Sequence, residues 1–139
     1  HDRDTAVTIS QNLVETSLKD VVSAYQKFAV ETFRKGSTKN VSPNDFQIVD
    51  KGSNLFEKHF DKGYQEWLSN EELHFMNLMF QRRHILEHNQ GIIDEKYLQR
   101  SKDKAYRLGQ RLISKKDEVE ELIDIIKKLA TGISIMVDI

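Results

Sequence analysis

The sequence predicts an all-α protein, an antiparallel bundle of four to five helices. Three observations support this fold class. Apolar residues recur at three- and four-residue steps over long stretches, which is typical of helices with one buried face. No stretch shows the alternation of apolar and polar residues expected of a strand. A chain of 139 residues, 38% hydrophobic and 31% charged, suits one folded domain over residues 1–139.

The first helix is predicted from about Ile9 to Lys35. One face carries its apolar residues: Leu13, Val14, Leu18, Val21, Val22, Tyr25, Phe28, Ala29 and Phe33. Gly36 and Ser37 end it. A helix of this length, roughly 40 Å at ~1.5 Å per residue, is long for a small domain, and long helices often serve as packing or dimer surfaces.

A connector follows the first helix over residues 36–51. It contains the only proline, Pro43, in a sequence that favours a turn. Ser53 or Asn54 is then expected to cap a short helix that runs through about Phe60, because both side chains accept hydrogen bonds from free backbone amides.

The central helix is predicted to begin at Ser69. Ser69 and Glu72 have the spacing of a capping box, in which each side chain accepts a hydrogen bond from the other residue's amide. Its apolar face comprises Leu73, Met76, Met79, Phe80 and Leu86. Gly91 is expected to stop the helix in a left-handed conformation that favours a residue without a Cβ.

Two further helices are predicted after Gly91. Asp94 is expected to cap a short helix through Leu98, and residues 107–114 look extended. Ser114 would open the last helix and Gly132 would end it. The apolar stripe of that helix is Val119, Leu122, Ile123, Ile126 and Leu129.

Composition excludes several kinds of protein. The absence of cysteine excludes disulfides, cysteine-ligated zinc and a thiol nucleophile, and it fits a reducing compartment. No apolar run is long enough to cross a bilayer, and the first residues do not resemble a signal peptide. We therefore expect a cytoplasmic protein without a membrane partner. Because the chain begins with His1 rather than Met, it is expected to be trimmed, tagged or cut from a longer protein.

Positive charge is concentrated in one part of the chain. The net charge is −1, but residues 96–116 contain eight lysines and arginines against the single acid Asp103. This pattern has two interpretations. It is either a solvated surface or an electrostatic footprint for a phosphate chain.

The end of the central helix concentrates polar residues that could carry chemistry: Arg82, Arg83, His84, Glu87, His88 and Asn89. One interpretation is a metal site, because His84 and His88 share a helix face and residues 84–88 match the zinc-protease pattern H-x-x-E-H. The match is short, the chain has little room for the rest of such an enzyme, and two adjacent arginines would repel a cation. We therefore predict no metal site and no cofactor.

Two other interpretations remain. Arg83 and Glu87 could form an ordinary ion pair on a solvated helix end. Alternatively, the cluster could cleave RNA without metal, with histidine moving protons and arginine holding the phosphate. Arg83 and His88 are about 140° apart on an ideal helix, so they converge only if the helix ends near His88 or if two copies meet.

Residues 83–88, Arg-His-Ile-Leu-Glu-His, resemble the signature of HEPN domains. The resemblance continues through His-Asn-Gln-Gly-Ile-Ile-Asp at residues 88–94, Tyr97-Leu98, Gly-Gln-Arg-Leu at residues 109–112 and a helix opened by Ser114. The resemblance covers roughly residues 80–129, and the helical layout extends it to the whole chain, so it implies that the bundle is HEPN-like.

The resemblance implies a homodimer with a composite cleft and, in active members, a metal-independent endoribonuclease of a toxin–antitoxin, defence or RNA-processing system. Its partners would be RNA and an antitoxin or a larger defence system. Carried over, Arg83 would hold the scissile phosphate, His88 would transfer protons and His84 would orient them or touch RNA. Further candidates for RNA binding are Arg82, Asn89, Arg107 and Arg111, and Glu31 or Asp20 could supply a nearby acid.

Two other hypotheses stay open at this point. The domain could be a non-catalytic dimerisation and RNA-binding module of a larger defence or signalling protein. It could also be a structural helical adaptor with a chance motif.

Overall fold

Five α-helices make up most of the protein, as the computed structural model shows for residues 2–138. They are α1 (Asp2–Gly36), α2 (Val49–Phe60), α3 (Asn70–His88), α4 (Glu95–Ser101) and α5 (Lys116–Asp138). Two short 3-10 helices, Pro43–Phe46 and Tyr64–Glu66, flank α2. Within residues 2–138 there is no strand, only an isolated antiparallel bridge between Ile92 and Arg111. The prediction of an all-α protein with four to five helices is confirmed.

Helix α3 is the centre of the structure, since it contacts each of the other four α-helices. The pairing of α1 with α5 closes another side of the core. No helix within residues 2–138 combines the length and the apolar character needed to cross a membrane.

Helix α1 starts earlier than predicted, and its first half lies outside the core. The helix begins at Asp2 rather than Ile9. Leu13, predicted to be buried, is 63% exposed, and the fully buried face begins at Leu18. Periodicity shows which residues share a helix face, but it does not show how far along the helix the neighbouring elements reach.

The connector and α2 pack aromatic rings against the second half of α1. Phe33 of α1 makes ring contacts with Phe46, Phe56 and Phe60. Helix α2 begins at Val49, not at a cap formed by Ser53 or Asn54. Ser53 is instead buried inside the helix, where its hydroxyl accepts a hydrogen bond of 2.9 Å from the amide of Tyr64. The expected cap is therefore wrong, because the hydroxyl serves a tertiary contact.

Both ends of α3 follow local sequence rules. Ser69 Oγ accepts from the Glu72 amide at 3.1 Å, and a Glu72 carboxylate oxygen accepts from the Ser69 amide at 2.9 Å, which confirms the capping box. After His88 the chain enters the left-handed region at Gln90 (φ 56°), one residue before Gly91 (φ 76°). The Gly91 amide donates to the Ile85 carbonyl at 2.8 Å and completes the turn.

The segment after α3 turns back along it. Asp94 caps α4 as predicted, accepting from the Tyr97 amide at 2.7 Å, and α4 continues past Leu98 to Ser101. Residues 102–115 contain no helix. Their extended part is limited to the pairing of Arg111 with Ile92.

Helix α5 differs from its prediction at both ends. It begins at Lys116 rather than Ser114, and it continues through Gly132 to Asp138. A Cβ at position 132 would lie 2.5 Å from ring atoms of Trp67, so this glycine allows a close contact rather than a helix end. Ile125 and Ile133 are buried in this helix, whereas the predicted Ile123 and Ile126 are only partly buried.

Candidate active site at the end of α3

Four polar side chains cluster on the last turns of α3: Arg83, His84, Glu87 and His88. They differ sharply in exposure. The side chain of His88 is 61% exposed and that of Glu87 is 31% exposed, whereas that of Arg83 is only 7% exposed. The side chains of His88 and Glu87 are therefore accessible to solvent, whereas that of Arg83 is buried.

Arg83 is held between α1 and α3 by two acceptors. Its Nη1 donates to Glu87 Oε2 at 2.9 Å, and its Nη2 donates to Gln26 Oε1 at 3.3 Å. Its Nε is buried and donates to no atom of the described residues. The ion pair between Arg83 and Glu87, four residues apart, confirms the spacing-based expectation. For Arg83 to contact a phosphate, the guanidinium must exchange the carboxylate for that phosphate.

The carboxylate of Glu87 connects Arg83 with His88. Its Oε2 atom, which accepts from Arg83, also lies 3.9 Å from His88 Nε2. The arginine and histidine nitrogens are therefore separated by no more than the sum of these two distances. Helix α3 ends at His88, which is one of the two conditions under which the sequence allowed these side chains to converge.

His84 is a second neighbour of His88, in addition to Glu87. The two ring centroids are 4.7 Å apart, and His84 Nδ1 is 3.2 Å from Gln47 Nε2. Burial lowers the pKa of His84 below its ordinary value, and the charges of His88, Arg83 and Arg100 lower it further. His84 is therefore an uncharged hydrogen-bonding group at neutral pH, distinct in role from the exposed His88.

The lowered pKa of His84 predicts a pH-dependent stability. The unfolded chain titrates at the ordinary value of 6.5, so just below that pH it binds more protons at this position than the folded chain. Acidification from pH 7 to 5.5 should therefore lower the free energy of unfolding, measured by urea denaturation. His84→Gln should make this dependence shallower, whereas His74→Gln, at an exposed site, should leave it unchanged. Equal slopes in all three proteins would contradict the assignment.

Arg82 belongs to a buried network rather than to this cluster. Its side chain is 4% exposed. It donates from Nη2 to Asp103 Oδ2 at 3.1 Å and from Nη1 to Glu118 Oε2 at 2.8 Å, and its guanidinium lies 5.5 Å from the Tyr106 ring centroid. Burial would raise the pKa of Asp103, but the hydrogen bond from Tyr97 and the charge of Arg82 bring it below its ordinary value. These contacts favour a structural role for Arg82 over the predicted role in RNA binding.

The other predicted RNA-binding residues lie on the loops beside the helix end. Asn89 donates its side-chain amide to the Ile92 carbonyl at 2.7 Å, which holds the turn after α3. Arg111 donates to the Gln90 carbonyl at 3.2 Å and thus lies at the same turn as His88. Arg107 is exposed in the loop between α4 and α5.

No protein-family model, curated protein or solved structure matches this chain. The case for a functional site therefore rests on the geometry of these side chains and on the sequence pattern of residues 83–88.

Sequence reasoning missed three residues that shape the site. Gln26 of α1 accepts from Arg83, Gln47 contacts His84, and Arg100 of α4 lies close enough to His84 for its charge to act on it. A usable signal existed only for Gln26, a polar residue at helical spacing from the buried Val22 and Ala29. Asp20 and Glu31, the candidates for an acid on this helix, are both exposed.

The metal interpretation gains no support from side-chain placement. Across residues 2–138, no three histidine or acidic side chains are grouped so that they could hold an ion. His84 and His88 do share a face, as their spacing predicted, but no third ligand lies with them in this part of the chain.

Proposed function

We propose that the protein is a metal-independent endoribonuclease of the HEPN type. The observation that supports this most is the exposed imidazole of His88 beside the Arg83–Glu87 pair and the uncharged His84. A proton-transfer group, a permanent cation and a neutral hydrogen-bonding group thus occupy two turns of one helix. Metal-free cleavage of RNA needs these groups, because the reaction moves two protons around a charged phosphate.

The reaction breaks one phosphodiester bond by means of its own ribose. The 2′-oxygen forms a bond to phosphorus while the bond from phosphorus to the 5′-oxygen breaks. One His88 accepts the 2′-hydroxyl proton, and an imidazolium donates a proton to the leaving 5′-oxygen. The products are a 2′,3′-cyclic phosphate and a 5′-hydroxyl.

Arg83 stabilises the phosphate in this mechanism. A phosphate and a carboxylate both present oxygens to a guanidinium in the same paired geometry, so the RNA phosphate replaces Glu87 as its partner. Before RNA binds, Glu87 and Gln26 keep the guanidinium oriented. Removing Glu87 would therefore have two opposed effects. The Arg83 guanidinium would be less well oriented, but it would no longer have to exchange a carboxylate for the RNA phosphate.

A homodimer completes the proposed site. One chain supplies one exposed His88, whereas the reaction needs a base and an acid at the same time. A twofold axis through the helix ends would place two His88 and two Arg83 side chains in one cleft. The proposed partners are RNA and an antitoxin or a larger defence system, and the proposed location is the cytoplasm.

One observation favours a second function, a dimerisation and RNA-binding module without cleavage. Arg83 is buried and already paired, so a chain that never releases it would bind RNA through surface cations and leave the bond intact. The two functions differ in whether a product forms.

The test is incubation of the purified chain with fluorescent single-stranded RNA in excess EDTA. The proposed enzyme is expected to release fragments that end in a 2′,3′-cyclic phosphate, identified by mass spectrometry. RNA binding by fluorescence anisotropy without fragments would instead support the module. Cleavage that stops in EDTA would contradict the metal-independent mechanism.

A further inference from the structure

A small cleft between α3 and α4 lies next to the candidate active site. Gln81, His84 and Ile85 line it from α3, and Lys96 and Arg100 line it from α4. Its volume of about 40 Å³ makes it a shallow recess rather than a pocket for a whole nucleotide. His84 is shared between this cleft and the active-site cluster, because its other neighbour is the His88 ring.

The cleft carries unpaired positive charge. Lys96 and Arg100 are four residues apart on α4, both are exposed, and neither forms an ion pair within residues 2–138. Asp94 is the acidic residue in the lining, and one of its oxygens is already taken by the Tyr97 amide. Burial, His88 and Arg83 lower the pKa of His84, and the nearby charge of Arg100 contributes to the same effect. Two cations therefore face one carboxylate.

Helix α4 is fixed in place against α3. The Asn77 side chain donates to the Arg100 carbonyl at 3.1 Å, and Arg82 Nε donates to the Tyr97 hydroxyl at 3.3 Å. His84 lies one turn from His88, which is about 5.4 Å along the helix axis. The α4 wall of the cleft is thus held in place beside His88, and the uncharged imidazole of His84 lies between the cleft and His88.

We propose that this cleft binds the phosphate next to the scissile one in an RNA strand, with Arg100 as the main contact and Lys96 as the second. The inference rests on the proposed function, and it adds a direction for the strand. The RNA runs from His88 past His84 and back along α3 towards Arg100. The guanidinium of Arg100 suits this role because it is free, permanently charged and able to hold two phosphate oxygens.

The experiment compares Arg100→Ala with Lys127→Ala. Lys127 is exposed on α5, and its neighbour Lys128 pairs with Glu72 in the first turn of α3, at the opposite end from His88. Each variant is assayed on a dinucleotide, which has only the scissile phosphate, and on a hexanucleotide, which also has flanking phosphates. Arg100→Lys tests whether charge alone suffices. Circular dichroism melts establish that all variants are folded.

For Arg100→Ala we expect KM for the hexanucleotide to rise about tenfold, in line with the loss of one charged hydrogen bond. Because the Arg100 charge also acts on His84, any change in kcat should be the same for both substrates, whereas the increase in KM should be confined to the hexanucleotide. The slope of log affinity against log salt for the hexanucleotide should fall by about 0.7, as for one lost phosphate contact on a single strand. Arg100→Lys keeps the charge but not the paired geometry, so its KM should lie between those of wild type and Arg100→Ala, and Lys127→Ala should match wild type.

Equal KM values for Arg100→Ala and Lys127→Ala on the hexanucleotide would overturn the inference while leaving the proposed enzyme intact. An equal loss on both substrates would also overturn it, because the dinucleotide lacks the flanking phosphate. If wild type cleaves neither substrate, the proposed function fails. The phosphate site is then tested separately, by measuring how tightly each variant binds the hexanucleotide. Weaker binding by Arg100→Ala than by Lys127→Ala then supports the phosphate site, and equal binding refutes it.

Discussion

His88→Ala is expected to reduce RNA cleavage by about a hundredfold to ten-thousandfold, the usual effect of losing a general acid or base. Because the proposed mechanism uses His88 for both proton transfers, the loss should appear in kcat more than in KM. The side chain is 61% exposed, so the fold should be retained. Single-turnover cleavage of labelled RNA measures the effect.

His74→Ala is the matched control, since His74 is an exposed histidine in the first half of the same helix. It should cleave at the wild-type rate. If the two variants cleave equally fast, His88 does not transfer protons and the proposed mechanism is wrong. If His88→Ala binds RNA as tightly as wild type but does not cleave it, binding and chemistry are separated at this residue.

Arg82→Met is expected to cost about 3–5 kcal/mol of stability, the range for a buried ion pair that loses one partner. The replacement leaves the Asp103 carboxylate, with a side chain only 3% exposed, without its cation. Glu118 loses its partner at the same time. Urea denaturation followed by circular dichroism gives the change in the free energy of unfolding.

Two further variants isolate the cause of this loss. Arg111→Met removes an exposed arginine and should change stability by less than about 0.5 kcal/mol. Arg82→Met combined with Asp103→Leu should be more stable than Arg82→Met alone, because the more deeply buried of the two unpaired carboxylates is then absent. A stable Arg82→Met protein that no longer binds RNA would instead restore the role in RNA binding that the sequence suggested.

The helical architecture could be predicted because it depends on local patterns. The capping box at Ser69, the cap at Asp94 and the turn at Gly91 each need only residues within a few positions of one another. The pair of Arg83 with Glu87 was accessible for the same reason, as both lie on one helix.

Several of the errors have the opposite cause, since they involve contacts between residues that are distant in sequence. Gly132 looked like a helix end, but it makes room for Trp67. Ser53 looked like a helix cap, but it binds the amide of Tyr64. Arg82 and Arg83 are adjacent in the sequence, and only their surroundings distinguish them. Arg82 points into a network with Asp103 and Glu118, and no periodicity within α3 indicates those partners.

The network around Arg82 also has a consequence for how the chain reaches its native state during synthesis. Its two carboxylates lie 21 and 36 residues downstream of the arginine. Until Glu118 has left the ribosome, the Arg82 guanidinium lacks one of its two carboxylate partners. Contacts of such sequence separation form late, because the loops between them must close first. In a nascent chain the Arg82 guanidinium would therefore stay incompletely paired until α5 docks against α3.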